Sequence, residues 1–499
     1  MFGVGGWKDW FVTIGGGEGL FGIDAVESMA RGPVVPAGAA KTFRRYDQAQ
    51  SFLLPPSLDD WLGEDDEARF ISEVVDGVLD LTGVYASYES AAGAPPYDPR
   101  MMVKLLLFAY STGVTSSREV ERRCRRDIAF RWLSGNQLPD YRSLARFRRR
   151  HLDVLPGLFT QVLAVCAQAG LVRLGRVALD GTKLAADASK HKAMSYDRIV
   201  PKIEQLQTEV AALLAEAEEI DQAEDDEHGP DRRGDKIPVE LARREGRLAK
   251  LRAAKEQIEA DAAEKAAAAA REKAAAAGKP DEQAEQAAAE AASTAVPKPK
   301  AQRNFTDPQA RIMKTNHGFE YAFNAQATVD EAHQIVLAAE VTQQATDVQQ
   351  FVPMTVQTAS SLATAGIGQS PETVLADAGY CSDSNLAAAA DLDSRVLIAT
   401  GRYHHDERFP QGVVQGPPPE GASRREQMAH ALRTAQGHAD YARRKAIVEP
   451  VFGQMKTRQN AGRLRLRGLA GAQGEWLLHA ICHNLRKLRN ATTAGIVPA

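Results

Sequence analysis

Three apolar runs in this 499-residue chain each end on a carboxylate: Val177-Ala178-Leu179-Asp180-Gly181, Val374-Leu375-Ala376-Asp377-Ala378-Gly379-Tyr380 and Ile447-Val448-Glu449-Pro450-Val451-Phe452-Gly453. An acid at the end of a strand that otherwise reads as core must give up water. That is costly unless a positive charge compensates it. Three such acids form a cage for hard divalent cations, which take one or two carboxylates and keep their waters for phosphate groups. Two ions about 3.5–4 Å apart activate a water or a 3′-hydroxyl and stabilise the leaving oxygen of an in-line displacement. The pattern therefore points to phosphodiester cutting and joining, with Asp180, Asp377 and Glu449 as metal ligands and catalytic acids.

Each acid also has a plain structural reading. Asp180 and Asp377 are each followed by a glycine turn, as strand-terminal caps are, and Gly181 also lets phosphate approach the backbone. Glu449 is harder to explain that way, because apolar residues flank it on both sides. Pro450 predicts a helix start or a kink at this point. Lys456 lies two helical turns beyond Glu449 and so shares its face. The three acids are expected to converge.

The length predicts two to four domains, and 44% hydrophobic with 25% charged residues is ordinary soluble composition. The net charge of −4 hides two basic runs. Residues 118–150 carry eleven Arg against four acids, and residues 441–490 carry eleven Lys or Arg against Glu449 and Glu475. Basic stripes on a near-neutral chain suit tracking of phosphates, although a single run is usually a solvated face. Arg146 and Arg149, in the first run on the basic helix expected over 143–155, are candidates for base contact. Arg463, Arg465 and Arg467 alternate on an extended strip suited to backbone phosphate. The four cysteines form no CxxC pair, which predicts neither zinc nor disulfides and fits a reducing cytoplasm. No run of about 20 apolar residues predicts a membrane span. Residues 1–40 lack a signal-peptide pattern, and Met29 is an alternative start.

Helical patterns fill the first part of the chain, over 58–62, 68–81, 101–110, 118–126 and 143–155, and suggest a helix-turn-helix-like unit or a flanking scaffold. Strands follow at 176–184, 321–329 and 334–342, then a helix at 347–363, a strand at 373–376, a helix at 384–390 and a strand at 395–399. This order implies a mixed sheet with helices on both faces. Between 200 and 297 the leucine spacing predicts an antiparallel helical hairpin broken at His228-Gly229-Pro230, with a flexible return over 282–299. A passive spacer is its default role. Asn324 and Gln326 either orient a nucleophile or satisfy backbone groups. Asp187 and Asp307 read as surface or cap residues, the adjacent pair His404-His405 as loop, and His483-Asn484 as structural.

The stretches Ala178-Leu179-Asp180-Gly181-Thr182-Lys183, Thr306-Asp307-Pro308, Phe323-Asn324-Ala325-Gln326, Ala376-Asp377-Ala378-Gly379-Tyr380, Val448-Glu449-Pro450-Val451-Phe452-Gly453 and His483-Asn484-Leu485 occur in an order that resembles bacterial insertion-sequence transposases with a DDE catalytic domain. The resemblance covers about residues 51–488 apart from the insertion. It implies an α/β fold: a ribonuclease H-like mixed five-stranded sheet with helices on both faces, plus an all-α N-terminal domain and the inserted hairpin. The implied layout is an extension over 1–50, a helical DNA-binding domain over 51–168, a catalytic domain over 169–199 and 301–490, the insertion over 200–300 and a tail over 491–499. In that fold the strands of the first two acids are neighbours.

Related transposases also place Tyr, Arg and Lys around the late Glu, which Tyr441, Arg444 and Lys456 resemble. Arg444 lies one residue farther from Glu449 than in the familiar spacing, so Lys445 is the alternative. The resemblance implies two Mg²⁺ ions per site, with Mn²⁺ as substitute, and double-stranded DNA as partner at element ends and target. It further implies a homodimer on paired ends and a cytoplasmic, nucleoid-associated location. The competing readings are a nuclease of the same fold that does not join ends, and a domesticated DNA-binding protein without catalysis.

Overall fold

The computed structural model describes residues 57–88, 95–189, 192–228, 239–315, 317–401 and 412–495. The N-terminal extension, the tip of the inserted hairpin and His404-His405 lie outside the described residues. Residues 58–499 cluster as one compact unit.

Eight helices precede the sheet among the described residues: α1 (Leu58–Trp61), α2 (Glu67–Gly77), α3 (Thr82–Ala86), α4 (Pro99–Ser111), α5 (Ser117–Arg126), α6 (Ile128–Leu133), α7 (Tyr141–Arg150) and α8 (Leu155–Gln168). Their starts follow from local chemistry. Asp98 accepts the Arg100 N–H ahead of Pro99-led α4, and Asp140 accepts those of Arg142 and Ser143 at the head of α7. The single basic helix expected over 143–155 is instead two elements. α7 ends at Arg150, and Pro156 opens α8 in its first turn, where a missing N–H costs nothing.

The sheet is mixed, as the strand order predicts, but has six strands where five were expected. They are β1 (Arg176–Ala185), β4 (Arg311–Thr315), β5 (Gly318–Asp330), β6 (Val336–Thr342), β7 (Thr373–Ala376) and β8 (Arg395–Ile398). β5 is long enough that its outer edge takes β4 along 318–322 and β6 along 324–329. β4 is the extra strand, too short and too polar to stand out by alternation. β1 is central, antiparallel to β5 and parallel to β7, and β7 is parallel to β8. Helices α12 (Phe351–Thr364) and α13 (Asp383–Ala390) supply the crossovers into β7 and β8.

α14 (Arg424–Arg433), α15 (Ala435–Ala442) and α16 (Arg444–Arg458) follow, and α17 (Gly468–Thr493) closes the chain. α17 is buried almost all round, from Trp476 to Leu488, because it packs between α8, α4 and β6. One continuous set of buried side chains runs from Leu62 through β1 to Ala491.

The insertion leaves the sheet after a short ribbon, β2 (Ala193–Ser195) paired with β3 (Gln302–Asn304). It comprises α9 (Tyr196–His228), α10 (Val239–Ala276) and α11 (Asp281–Ser293). Ile199, Ile203, Leu206, Leu248, Leu251 and Ile258 form its own separate core. The return is therefore a helix and not a flexible strand of chain. Its Ala-rich sequence has high helix propensity, Asp281 and Glu282 favour its N-terminus, and Arg271 holds Glu285 at 2.7 and 2.8 Å. No helix among the described residues is long and apolar enough to cross a membrane.

Candidate active site

The last paired residues of β1 and β7 are Leu179 and Ala376, so the next residue of each, Asp180 and Asp377, stand side by side. Neighbouring strands lie about 4.8 Å apart. Asp180 continues β1, while Asp377 opens the turn after β7 and accepts the Gly379 N–H at 2.8 Å. The Asp180 side chain keeps 17% of its exposure. Burial pushes its carboxyl up to about 6, against the opposing pull of Arg444 and with a further push from Asp377.

Arg444, at the start of α16, places Nη1 2.7 Å from Asp180 Oδ2. Burial opposes its charge, yet Asp180 and Tyr441 outweigh that and hold it protonated. Arg444 is thus the member of the Arg444–Lys445 pair that meets the acid, and Lys445 is exposed. Half-buried Tyr441 is raised by burial and sits in the field of Arg444, Asp377 and Asp180. Lys456, in the last turn of α16, donates to Thr182 Oγ1, and burial lowers its pKa.

Glu449 is exposed on α16, between buried Val448 and Val451, and makes no hydrogen bond or ion pair among the described residues. No group of three or more His, Cys, Asp or Glu among the described residues is arranged to hold a metal ion. The structure brings Asp180 and Asp377 together and leaves Glu449 on the adjoining helix. Pro450 neither starts nor ends that helix. It sits inside α16, and the Ala446 carbonyl its ring leaves without an amide accepts Gln334 Nε2 at 3.1 Å.

Asp347 is the residue the sequence reading passed over, as the first residue of an expected helix. Its Oδ1 accepts from Asn324 Nδ2 at 2.7 Å, Gln326 Nε2 at 2.8 Å and Lys183 Nζ at 3.1 Å. Tyr380 in turn donates to Gln326 Oε1. A Cβ on Gly181 would come within 2.7 Å of Asp347 Oδ1, and one on Gly379 would lie 2.9 Å from Asp377 Oδ1 and 3.6 Å from Asp347 Oδ2. Both glycines therefore make room for a third carboxylate beside the aspartate pair. Asn324 and Gln326, both wholly buried on β5, demand partners, a burial that the sequence itself does not display. Both serve Asp347, and Asn324 Nδ2 also donates to the Gln344 carbonyl at 3.0 Å.

The basic residues divide. Arg146 and Arg149 are exposed on one face of α7, while Arg148 is buried and donates to Tyr110 Oη at 2.7 Å and the Thr115 carbonyl at 3.0 Å. Arg463, Arg465 and Arg467 are exposed and alternate with buried Leu464 and Leu466, and Arg467 pairs with Asp187. Asp307 is buried and not a surface residue; it caps by accepting the Gly468 N–H at 3.2 Å. Asn484 bridges the Val336 N–H and carbonyl, each at 2.9 Å, and is structural.

A central strand flanked by an antiparallel hairpin and parallel crossovers, with paired acids at its exit, defines a ribonuclease H-like α/β domain. Residues 56–150 match the transposase domain family DUF772, and residues 292–485 match the transposase DDE domain family. No curated protein and no solved structure matches the chain. The chain belongs to the insertion-sequence DDE transposases. The second match begins inside the insertion, so β1 and Asp180 lie upstream of it and are tied to the domain by strand pairing.

Proposed function

We propose that this transposase binds the terminal inverted repeats of its element, hydrolyses each DNA end and joins the 3′-hydroxyls to target DNA, acting as a homodimer on paired ends in the cytoplasm. The observation that carries the reading is the juxtaposition of Asp180 and Asp377, one of them desolvated and pushed up to about 6. Two hard oxygen donors under like-charge strain fit a divalent cation, which reverses that strain. Asp180 and Asp377 would hold Mg²⁺, with Glu449 as the proposed third acid. When bound, the metal supplies activation of a water or 3′-hydroxyl and stabilisation of the leaving oxygen.

The chain's own groups have separate tasks. Arg444 neutralises Asp180. The Asp347 network fixes β1 against the turn after β7, and Lys456 presents a cation beside Thr182. The exposed arginines of α7 and of the 463–467 strip face DNA, the former for end recognition and the latter for backbone phosphate. The test is a strand-transfer assay with labelled element ends and Mg²⁺. Wild-type protein nicks and joins, whereas Asp180→Asn and Asp377→Asn bind the ends and do not cut. Cutting at the wild-type rate by Asp180→Asn would make the acid structural, and nicked ends without joined product would mark a nuclease.

A further inference from the structure

The turn between β5 and β6, residues 331–335, is held by one helix and holds another. From α17, His483 Nε2 donates to the Gln334 carbonyl at 2.9 Å, and Lys487 Nζ donates to Gln334 Oε1 at 2.8 Å. Asn484 fixes the neighbouring Val336. Toward α16, Glu331 accepts from Arg443 Nε at 2.7 Å, and Gln334 Nε2 donates to the Ala446 carbonyl at 3.1 Å. These two contacts straddle Arg444, the residue that meets Asp180. Glu331 also holds Arg176 at the start of β1, through its own N–H to the Arg176 carbonyl at 2.9 Å and through its carboxylate to the guanidinium. One turn thus joins the strand bearing Asp180 to the helix bearing Arg444.

Two features single out Gln334 within that turn. Its φ of 58° lies in the left-handed region, where glycine is the default and other side chains are strained. A long side chain kept at such a position points to a task. The second feature is Pro450. A proline inside a helix leaves the carbonyl four residues back without its amide, and its ring crowds that same carbonyl. The first turn of α16 therefore lacks one of the bonds that would tie it to the turn of Glu449. Gln334 meets that carbonyl from outside the helix. The direction of its amide is fixed chemically, because a lysine only donates and a carbonyl only accepts.

We propose that Gln334 is a positioning residue: it supplies the donor that Pro450 removes, and so fixes the first turn of α16, with Arg444 against Asp180, relative to Glu449. The assignment rests on the transposase reading above and adds to it the part that holds α16 in place. Gln334 itself touches neither DNA nor the acids.

The test uses the full chain and two substitutions. Gln334→Glu keeps an acceptor for Lys487 and has no proton for the Ala446 carbonyl, whereas Gln334→Gly removes the side chain where the backbone favours glycine. With a labelled element-end duplex and Mg²⁺, both cut roughly ten- to a hundred-fold more slowly at saturating DNA, and the half-saturating DNA concentration is unchanged. Gln334→Gly melts within a few degrees of the wild type. Hydrogen exchange, read without metal or DNA, is faster over residues 444–449 in both variants and unchanged in β1. Pro450→Ala returns an amide to the Ala446 carbonyl, so in that background Gln334→Gly slows cutting by roughly two-fold or less. An equal loss in both backgrounds, wild-type cutting and exchange in Gln334→Glu, or a loss of cutting matched by a fall in melting temperature overturns the proposal. Wild-type protein that does not cut overturns the transposase reading instead, and the exchange comparison then still decides whether Gln334 holds the turn.

Discussion

Asp180 carries a desolvated charge at the centre of the site. Its folded pKa of about 6 stands above its ordinary value of 3.8, so the folded state holds the proton more tightly than the unfolded chain. The group therefore favours folding below pH 3.8, and that contribution is lost as pH rises through about 6. At neutral pH the buried charge costs on the order of 3 kcal/mol. Two results should follow in thermal unfolding without DNA. Asp180→Asn should gain stability over the wild type as pH rises from 4 to 7, and Mg²⁺ should raise the wild-type melting temperature at neutral pH but not that of the variant. A melting temperature insensitive to Mg²⁺ in the wild type would count against the pair as a cation site. Gly181 and Gly379 show how fully the pocket is filled, since any side chain there would displace Asp347, Gln326 or Asp377.

Among the elements, the inserted helices are the most separable. Their core is distinct from the main one, and they join the sheet through the β2–β3 ribbon. Ser195 and Gln302 are paired in that ribbon, so a two-residue Asn-Gly turn can close it directly. A variant with residues 196–301 replaced by that turn should unfold cooperatively and keep the near-ultraviolet signature of buried Trp476. Failure to fold would make the insertion part of the main folding unit. The elements also show what the sequence carried. Strands β1 and β7 and the first two acids were legible because each is a short apolar run stopped by a charge, and β8 because its apolar run ends at Thr400-Gly401. The return helix α11 was not, since an alanine-rich segment has no apolar face to read and folds here on contact with α10. Asp347 was hidden for a different reason: its role comes from amides on β5 and glycines on two other segments, which no local pattern brings together. Arg444 was legible as one of two candidates, and only the turn of α16 decides between it and Lys445.

Across residues 58–499, the N-terminal helices and the catalytic sheet are joined by a buried polar link. Arg148 of α7 donates to Tyr110 of α4, whose hydroxyl donates to Glu475 Oε1 of α17 at 3.0 Å. The other oxygen, Oε2, accepts the N–H groups of Arg465 and Leu466 at 2.7 and 2.8 Å. One carboxylate therefore ties the helix bearing Arg146 and Arg149 to the strip bearing Arg463, Arg465 and Arg467. Burial raises its pKa, opposed by Arg148 and the two amides. Glu475→Ala should cost about 3–5 kcal/mol in urea unfolding, because it strands a buried cation and two amides. Glu475→Gln, which keeps an acceptor for the amides, should cost less. Equal effects of the two would mean that volume and not polarity sets the cost.

The position of the insertion also sets a clock. β1 is made early, but its partners β5 and β7 come more than a hundred residues later, and α17, which covers the sheet, is last. At about 5–20 residues per second of synthesis, β1 waits roughly 15–60 s for the chain to reach the end of α17. Until β5 is made, Val177, Ala178 and Leu179 have no neighbouring strand to pair with, while α9 and α10 can pair on their own core. The aspartates can meet once β7 is made, and a nascent chain cut short before α16 carries Asp180 and Asp377 without Arg444 or Lys456.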